Sequence, residues 1–326
     1  MASQYSFLTV GNGKMLRTAA LDLFYTQYKN VPIYRQYVDL LRVSTRNVNV
    51  IEQIPFLPIQ FFRTHDVCRS MGGEPEMVFT SSGTTGAETS RHIVPRLNVY
   101  NKSLLATFTN FYGDPKRLNI LALLPSYLER EGSSLVYMVD RLIGLSRKES
   151  GFYLNNLDEL AETLNLLDKH NRQVLLIGVS FALLDLAERY KFKLKNTIVM
   201  ETGGMKGRRA EISRIELHKQ LTSAFGVPCI HSEYGMTELL SQAYSDGNGL
   251  FRCPPWMRVL VRDPYDPRDV RTEGRGALNI VDLANVYSCA FIQTDDIGEV
   301  FSDGSFEVHG RLDNAPLRGC NLLIEG

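Results

Sequence analysis

Cysteine is scarce in this chain, net charge is absent and no apolar run is long, and each shortage excludes a class of protein. The five cysteines (Cys68, Cys229, Cys253, Cys289 and Cys320) are scattered, odd in number and form no CxxC pair. Such a set fits free thiols in a reducing compartment, and neither a disulfide framework nor a zinc site. Lys+Arg and Asp+Glu number 36 each, so the formal net charge is zero. A nucleic-acid-binding domain is normally clearly basic, so nucleic acid is not an expected partner. No apolar stretch approaches the roughly 18–20 residues of a membrane span. The opening MASQYSFLTVGNGK has neither the basic start nor the apolar stretch of a signal peptide. Internal repeats and low-complexity linkers are also missing. What remains is ordinary globular composition, 44% hydrophobic and 22% charged, which excludes wholesale disorder. At roughly 100–200 residues per domain, the length suits two domains or one large α/β domain with an appendage. The expectation is a soluble, cytoplasmic, enzyme-sized protein.

Three patterns follow one another along the chain. Residues 1–75 read as a helical segment: Met15, Leu16, Ala19, Leu23 and Phe24 keep a 3–4 spacing, as do Tyr34, Tyr37, Val38 and Leu41, with Pro32, Pro55 and Pro58 as breaks. Residues 76–234 alternate. Short β-favouring runs at 77–80, 119–124, 173–177, 197–201 and 228–231 are separated by helical patterns near 97–111, 133–146, 157–170, 180–191 and 208–225. Alternation of this kind predicts an α/β fold with parallel βαβ layers. Residues 235–313 read as a β-rich subdomain of the same domain, with runs at 257–261, 277–281, 289–293, 299–301 and 306–308 and a hairpin turn at Ser302-Asp303-Gly304-Ser305. Residues 314–326 form a C-terminal tail.

Four segments carry chemistry. In Phe79-Thr80-Ser81-Ser82-Gly83-Thr84-Thr85-Gly86 a β-run feeds six hydroxyl or glycine residues. Such a loop can turn N–H groups and hydroxyls toward phosphate oxygens. It lacks the GxxxxGK(S/T) pattern of an ordinary P-loop, and a flexible surface loop has the same composition. His231-Ser232-Glu233-Tyr234-Gly235-Met236-Thr237-Glu238 follows a β-run. Its aromatic and glycine can face a base, and its hydroxyl and carboxylate can reach a phosphate and Mg²⁺. A strand-to-helix turn capped by Ser232 or Thr237 explains it equally, and His231 alone fits a core position. Thr294-Asp295-Asp296-Ile297-Gly298 sets two carboxylates at a strand end, and Gly310-Arg311-Leu312-Asp313 ends another β-run; either also fits a polar turn.

In order and spacing, these segments resemble the adenylate-forming superfamily of acyl-CoA synthetases, firefly luciferase and peptide-synthetase adenylation domains. The strings at 124–130 (LPSYLER), 133–138 (SSLVYM) and 201–208 (ETGGMKGR) are similar to the acyl-protein synthetase family, the fatty-acid-activating subunits of bacterial bioluminescence fatty-acid reductases. The resemblance covers about residue 50 to the end. It implies an adenylation core at 76–234 and ATP-dependent activation of a carboxylic, expectedly fatty, acid to an acyl-adenylate, then capture on a protein cysteine. It further implies that Ser81, Ser82, Gly83, Thr84, Thr85 and Gly86 hold the β and γ phosphates of ATP, that Thr237 meets the α-phosphate and that Glu238 ligates Mg²⁺. Gly203, Gly204, Tyr234 and Gly235 would line the adenine site, Asp296 would take the ribose hydroxyls with Arg311 nearby, and Asp313 would be a hinge. Cys320, with Arg318 beside it, sits where the acyl acceptor is expected, although a free cysteine is commonly a small buried hydrophobe. An acyl-reductase is the implied partner protein.

The chain departs from the superfamily in three places. Asp295 replaces the usual glycine, and Glu88-Thr89 replaces the usual Pro-Lys, leaving Arg91 to compensate for the lost cation. Only 13 residues follow Asp313, so the superfamily's C-terminal lid is expected to be absent. Two rivals stand beside the main reading: an acyl- or aryl-CoA ligase with an unusual or separate lid, and an adenylate-binding protein without turnover.

Overall fold

A computed structural model describes residues 4–81, 89–124, 132–154, 156–203 and 212–312. The chain opens on helices α1 (Gly13–Asn30) and α2 (Pro32–Leu40). The Asn12 side chain caps α1 by accepting from the Met15 N–H, and Pro32 starts α2 where its missing N–H costs nothing. The buried stripe of α1 is Leu16, Ala20, Phe24 and Gln27, whereas Met15 is exposed. Buried Gln27 ties α1 to the far end of the sequence, donating to the Asn285 carbonyl (2.6 Å) and accepting from the Ala290 N–H (2.9 Å). Phe24 and Tyr34 pack on Phe291. Strand β1 (Leu57–Pro58) and the short α3 (Phe61–Thr64) complete this segment.

Next come β2 (Met77–Thr80) and β3 (Arg91–Val94), which pair antiparallel as a separate two-stranded sheet. The run at 77–80 therefore stands outside the parallel sheet expected to begin there, because its partner lies only a loop away. Then follow α4 (Leu97–Tyr112), β4 (Asn119–Leu123), α5 (Ser134–Leu145), β5 (Gly151–Tyr153), α6 (Leu157–Lys169), β6 (Val174–Val179), α7 (Ser180–Arg189), β7 (Thr197–Thr202), α8 (Arg214–Phe225), β8 (His231–Tyr234) and β9 (Ala243–Ser245). Their strands form one sheet, ordered β5-β4-β6-β7-β8-β9, parallel except for β9. Every residue of β4 and β6 is buried, as in a parallel sheet covered on both faces.

The remaining strands are β10 (Met257–Arg262), β11 (Val270–Arg271), β12 (Gly274–Asp282), β13 (Phe291–Val300) and β14 (Phe306–Arg311). They form a largely antiparallel sheet that β1 joins in parallel, so the N-terminal segment and the β-rich region share a sheet. Gly304, at φ +84°, sits in the hairpin turn between β13 and β14.

Two expectations need correction. The runs at 289–293 and 299–301 fall largely within the single strand β13, which continues through the polar residues between them: Thr294 Oγ1 donates to the Leu278 carbonyl of β12, and Asp296 pairs with Arg311 of β14. The run at 228–231 gives way to β8 at 231–234, where Met200, Glu201 and Thr202 of β7 set the register. No helix begins directly after β8, so Thr237 and Ser232 are not helix caps.

Candidate active site

The carboxyl ends of β7 and β8, the neck of the β2–β3 hairpin and one side of β13 and β14 surround a cleft of about 1040 Å³. Ser81, Gly203, Tyr234, Gly235, Thr237, Glu238, Asp296 and Arg311 all line it. These residues come from four distant parts of the sequence. Crevices beyond the carboxyl ends of parallel strands are the habitual ligand sites of α/β sheets. Ser82, Gly83, Thr84, Thr85, Gly86, Gly204, Asp313 and Cys320 lie outside the described residues.

One corner of the cleft is built around Asp296, which lies mid-strand in β13 and is not at a strand end. The Tyr234 hydroxyl donates to its Oδ2 (2.7 Å), and Arg311 Nε lies 3.2 Å from its Oδ1. The Asp296–Arg311 register of β13 and β14 makes that pair. Burial pushes the Asp296 carboxyl above its ordinary range, and Tyr234 and Arg311 act against it. Alternation along the strand turns Asp295 the other way: Gln60 Nε2 donates to both its carboxylate oxygens, at 2.8 and 3.0 Å. Asp295 is therefore a fixed part of the framework in place of the glycine usual there. The Tyr234 ring leans on Phe306 and Phe251, with centroids at 5.4 and 5.8 Å.

The turn after β8 is held from behind. His92 Nδ1 lies 2.8 Å from the Thr237 carbonyl, which can only accept, so this nitrogen carries the hydrogen. Burial lowers the His92 pKa to about 4, keeping the ring neutral. Asn285 Nδ2 donates to the Glu238 carbonyl (2.8 Å). Buried Asp282 collects the N–H groups of Leu240, Ser241 and Ala284 and the Ser241 hydroxyl, at 2.6–3.1 Å. Glu238 itself is 3% exposed and makes no ion pair among the described residues. Burial raises its pKa, and Ser90, Arg63 and Arg311 pull the other way.

Several lining residues carry no signal in the sequence. Glu201 of β7 accepts from Ser180 Oγ (3.1 Å) and faces Arg214 Nε and His218 Nε2, both at 3.6 Å. Burial alone would raise its pKa, but His218 and Arg214 outweigh it and leave it lowered. Glu233 accepts from Thr202 Oγ1 (2.6 Å), and burial raises it to about 7. Arg63, Ser90 and Gln242 complete this set. Arg91 does not line the cleft; it reaches exposed Asp66 (3.4 Å) on the surface. Among the described cysteines burial pushes Cys68 to about 11 and Cys253 and Cys289 to about 12, so none of those three is an ionised nucleophile at neutral pH.

The chemistry of the donors suits a nucleotide with a hard cation. The described residues hold no cluster of three or more His, Cys, Asp or Glu fit for a metal. The Glu238 carboxylate, buried at the cleft near the hydroxyls of Ser90 and Thr237, suits Mg²⁺, which takes most of its oxygens from phosphate and water.

Comparison with known proteins agrees with this fold. No family model matches the chain. The long-chain-fatty-acid–luciferin-component ligase of Aliivibrio fischeri is 24% identical over 331 residues, covering 93% of this chain and 86% of that protein. Its namesake in Vibrio harveyi is 23% identical over 320 residues, covering 91% and 84%. Among solved structures, 2-hydroxyisobutyryl-CoA ligase in complex with 2-HIB-AMP and CoA superposes with a TM-score of 0.70 at 14% identity, over 94% of this chain and 71% of that one. ATP-bound MatB from Rhodopseudomonas palustris gives 0.54 at 18% identity, over 74% and 50%. Among the described residues no helix is long and apolar enough to cross a membrane. The chain is thus homologous over most of its length to the long-chain-fatty-acid–luciferin-component ligases and carries the fold of the adenylate-forming acyl-CoA ligases.

Proposed function

We propose that this protein is an ATP-dependent ligase that activates a carboxylic acid to its acyl-adenylate and then passes the acyl group to a protein thiol. The convergence of Ser81, Tyr234, Thr237, Glu238, Asp296 and Arg311 on one cleft carries the first half of this reading. The curated relatives are fatty-acid ligases by name, which supports an acid as the second substrate.

In this mechanism the residues position and stabilise; a carboxylate needs no deprotonation at neutral pH. Asp296, its oxygens oriented by Tyr234 and Arg311, accepts from the ribose hydroxyls. Tyr234, Gly235 and Gly203 flank the base. Ser81 and the hydroxyls that follow it take the β and γ phosphates. Thr237 hydrogen-bonds the α-phosphate from a turn that His92 and Asn285 hold rigid. Glu238 would hold Mg²⁺, which when bound would supply positive charge against the phosphate oxygens. Such preorganised groups spare reorganisation as charge develops. In the second half the thiolate of Cys320 would attack the acyl carbonyl of the mixed anhydride and release AMP, with an acyl-reductase as the consumer of the thioester.

Carboxylate-dependent ATP–pyrophosphate exchange tests the first half; its complete absence with every acid defeats the reading. Radiolabelled acid with ATP and Mg²⁺ tests the second. A label released by neutral hydroxylamine and lost in Cys320→Ser, with exchange retained, supports thiol capture. Full labelling of Cys320→Ser rejects Cys320 as the acceptor.

A further inference from the structure

Glu233 is a half-buried carboxyl that lines the cleft and has no part in that mechanism. In β8 the side chains alternate, so Tyr234 meets Asp296 while Glu233 turns to the other side. The strand registers place Thr202 of β7 and Tyr244 of β9 on either side of Glu233. Burial raises its pKa to about 7, and Tyr100, Tyr112 and Tyr244 all feel its charge. Thr202 Oγ1 donates to Oε2, and no other described residue donates to this carboxyl. Its charged neighbour is Glu201, of like sign, and the nearby cations Arg214 and His218 face Glu201. The carboxyl folds back over Gly235, where a Cβ would strike Oε1, so it points toward the turn that carries Thr237. The same Cβ would meet Gln242 Cγ at 3.5 Å. Gln242 also lines the cleft, is 4% exposed, and its side-chain oxygen has no donor among the described residues.

Among the described residues, this part of the cleft therefore presents two acceptor oxygens, Glu233 Oε1 and Gln242 Oε1, without a donor. Buried polar groups are costly unless paired, so such an arrangement calls for a donor from the occupant. A plain alkyl chain laid against Glu233 and Gln242 would exclude water from Glu233 Oε1 and Gln242 Oε1 and offer neither a donor. We infer that the acid activated here bears a hydroxyl or amino group close to its carboxylate, which donates to Glu233 and Gln242. The inference rests on the acid-activating role proposed above, and it makes Glu233 the residue that sets which acids are accepted.

The test is pyrophosphate exchange by the full chain with three matched acids: decanoate, 3-hydroxydecanoate and 3-aminodecanoate. Wild type should favour one donor-bearing acid over decanoate in kcat/KM by about 100-fold or more, since a site built to hydrogen-bond a group strongly rejects the analogue lacking it. Glu233→Leu should reduce that ratio to within a few-fold. Glu233→Gln keeps an acceptor and volume, and serves if the leucine variant does not fold. It should retain preference for a hydroxyl but lose it for an amine, which separates the two donors. A wild type that uses decanoate as well as both analogues overturns the inference and leaves acid activation standing; so does a preference that survives both substitutions. Exchange with no acid at all removes the acid-activating role, and this inference with it.

Discussion

Two carboxyls flank β8 in the same cleft, and they are treated in opposite ways. Asp296 is bound at both oxygens, by the Tyr234 hydroxyl and by Arg311, while Glu233 has one hydrogen bond among the described residues and a like charge as its neighbour. A carboxylate whose bonds come from its own protein is preorganised and needs no adjustment when a ligand arrives. A carboxyl left short of donors is costly to bury, and a ligand can repay that cost. The first arrangement suits an invariable part of a substrate, such as a ribose. The second suits a part that must be distinguished from alternatives. Glu238 stands between them, its backbone carbonyl anchored by Asn285 and its carboxyl held by Ser90 with no ion pair among the described residues.

The comparison can be broken most severely at Glu238. Glu238→Gln should lower exchange by about 10²–10³-fold through loss of a charged Mg²⁺ ligand, while the melting temperature stays within a few degrees because the backbone anchors remain. Unchanged exchange would exclude Glu238 from the reaction. Asp296→Ala comes next. It leaves Tyr234 and Arg311 without their acceptor, and should raise the KM for ATP by about 10–100-fold, equivalent to about 1–3 kcal/mol. An unchanged KM would take Asp296 out of the nucleotide site.

His92→Leu strips the donor from the Thr237 carbonyl. An unsatisfied buried carbonyl costs about 1–3 kcal/mol of stability, and kcat should fall several-fold as Thr237 loses its support. His92→Asn, which keeps a donor, should recover part of both. Equal losses in the two variants would reduce His92 to a packing residue.

The smallest effect has the opposite sign. Glu233 titrates at about 7 against an ordinary 4.5 because burial penalises its charge. A raised carboxyl favours the folded state fully below the unfolded pKa, and that advantage is lost as pH rises from about 4.5 through 7. Glu233→Gln should therefore gain stability relative to wild type at pH 8, by about 1–2 kcal/mol after solvent screening, and gain little at pH 4. Chemical denaturation at both pH values measures the difference, and an equal effect at both would show that the charge is not penalised.

The runs at 119–124, 173–177 and 197–201, which form strands at 119–123, 174–179 and 197–202, were readable because buried parallel strands are short apolar runs between helices. Residues 234–238 were readable as a candidate site because one short peptide carries its aromatic, glycine, hydroxyl and carboxylate together. Arg91 shows the limit of such reading: nearness in sequence to the hydroxyl-rich loop suggested a phosphate-facing cation, and the side chain instead meets Asp66 on the surface. Thr294-Asp295-Asp296 shows another. Composition treats its two aspartates alike, and only their place in a paired strand separates the one that faces the cleft from the one held by Gln60.

By itself, then, the sequence determined the α/β layering, the run of strands and helices, and the local peptides that bring hydroxyls, glycines and carboxylates into the chain. Those properties rest on periodicity and local chemistry, which act over a few residues. Tertiary structure alone decided that β2 and β3 stand apart as a hairpin, that His92 supports Thr237 across 145 residues, that Tyr234 and Arg311 clamp Asp296, and that Glu233 is left short of donors. Each of these is a meeting of side chains on neighbouring strands, and strand register, set by packing between distant segments, determines which atoms meet.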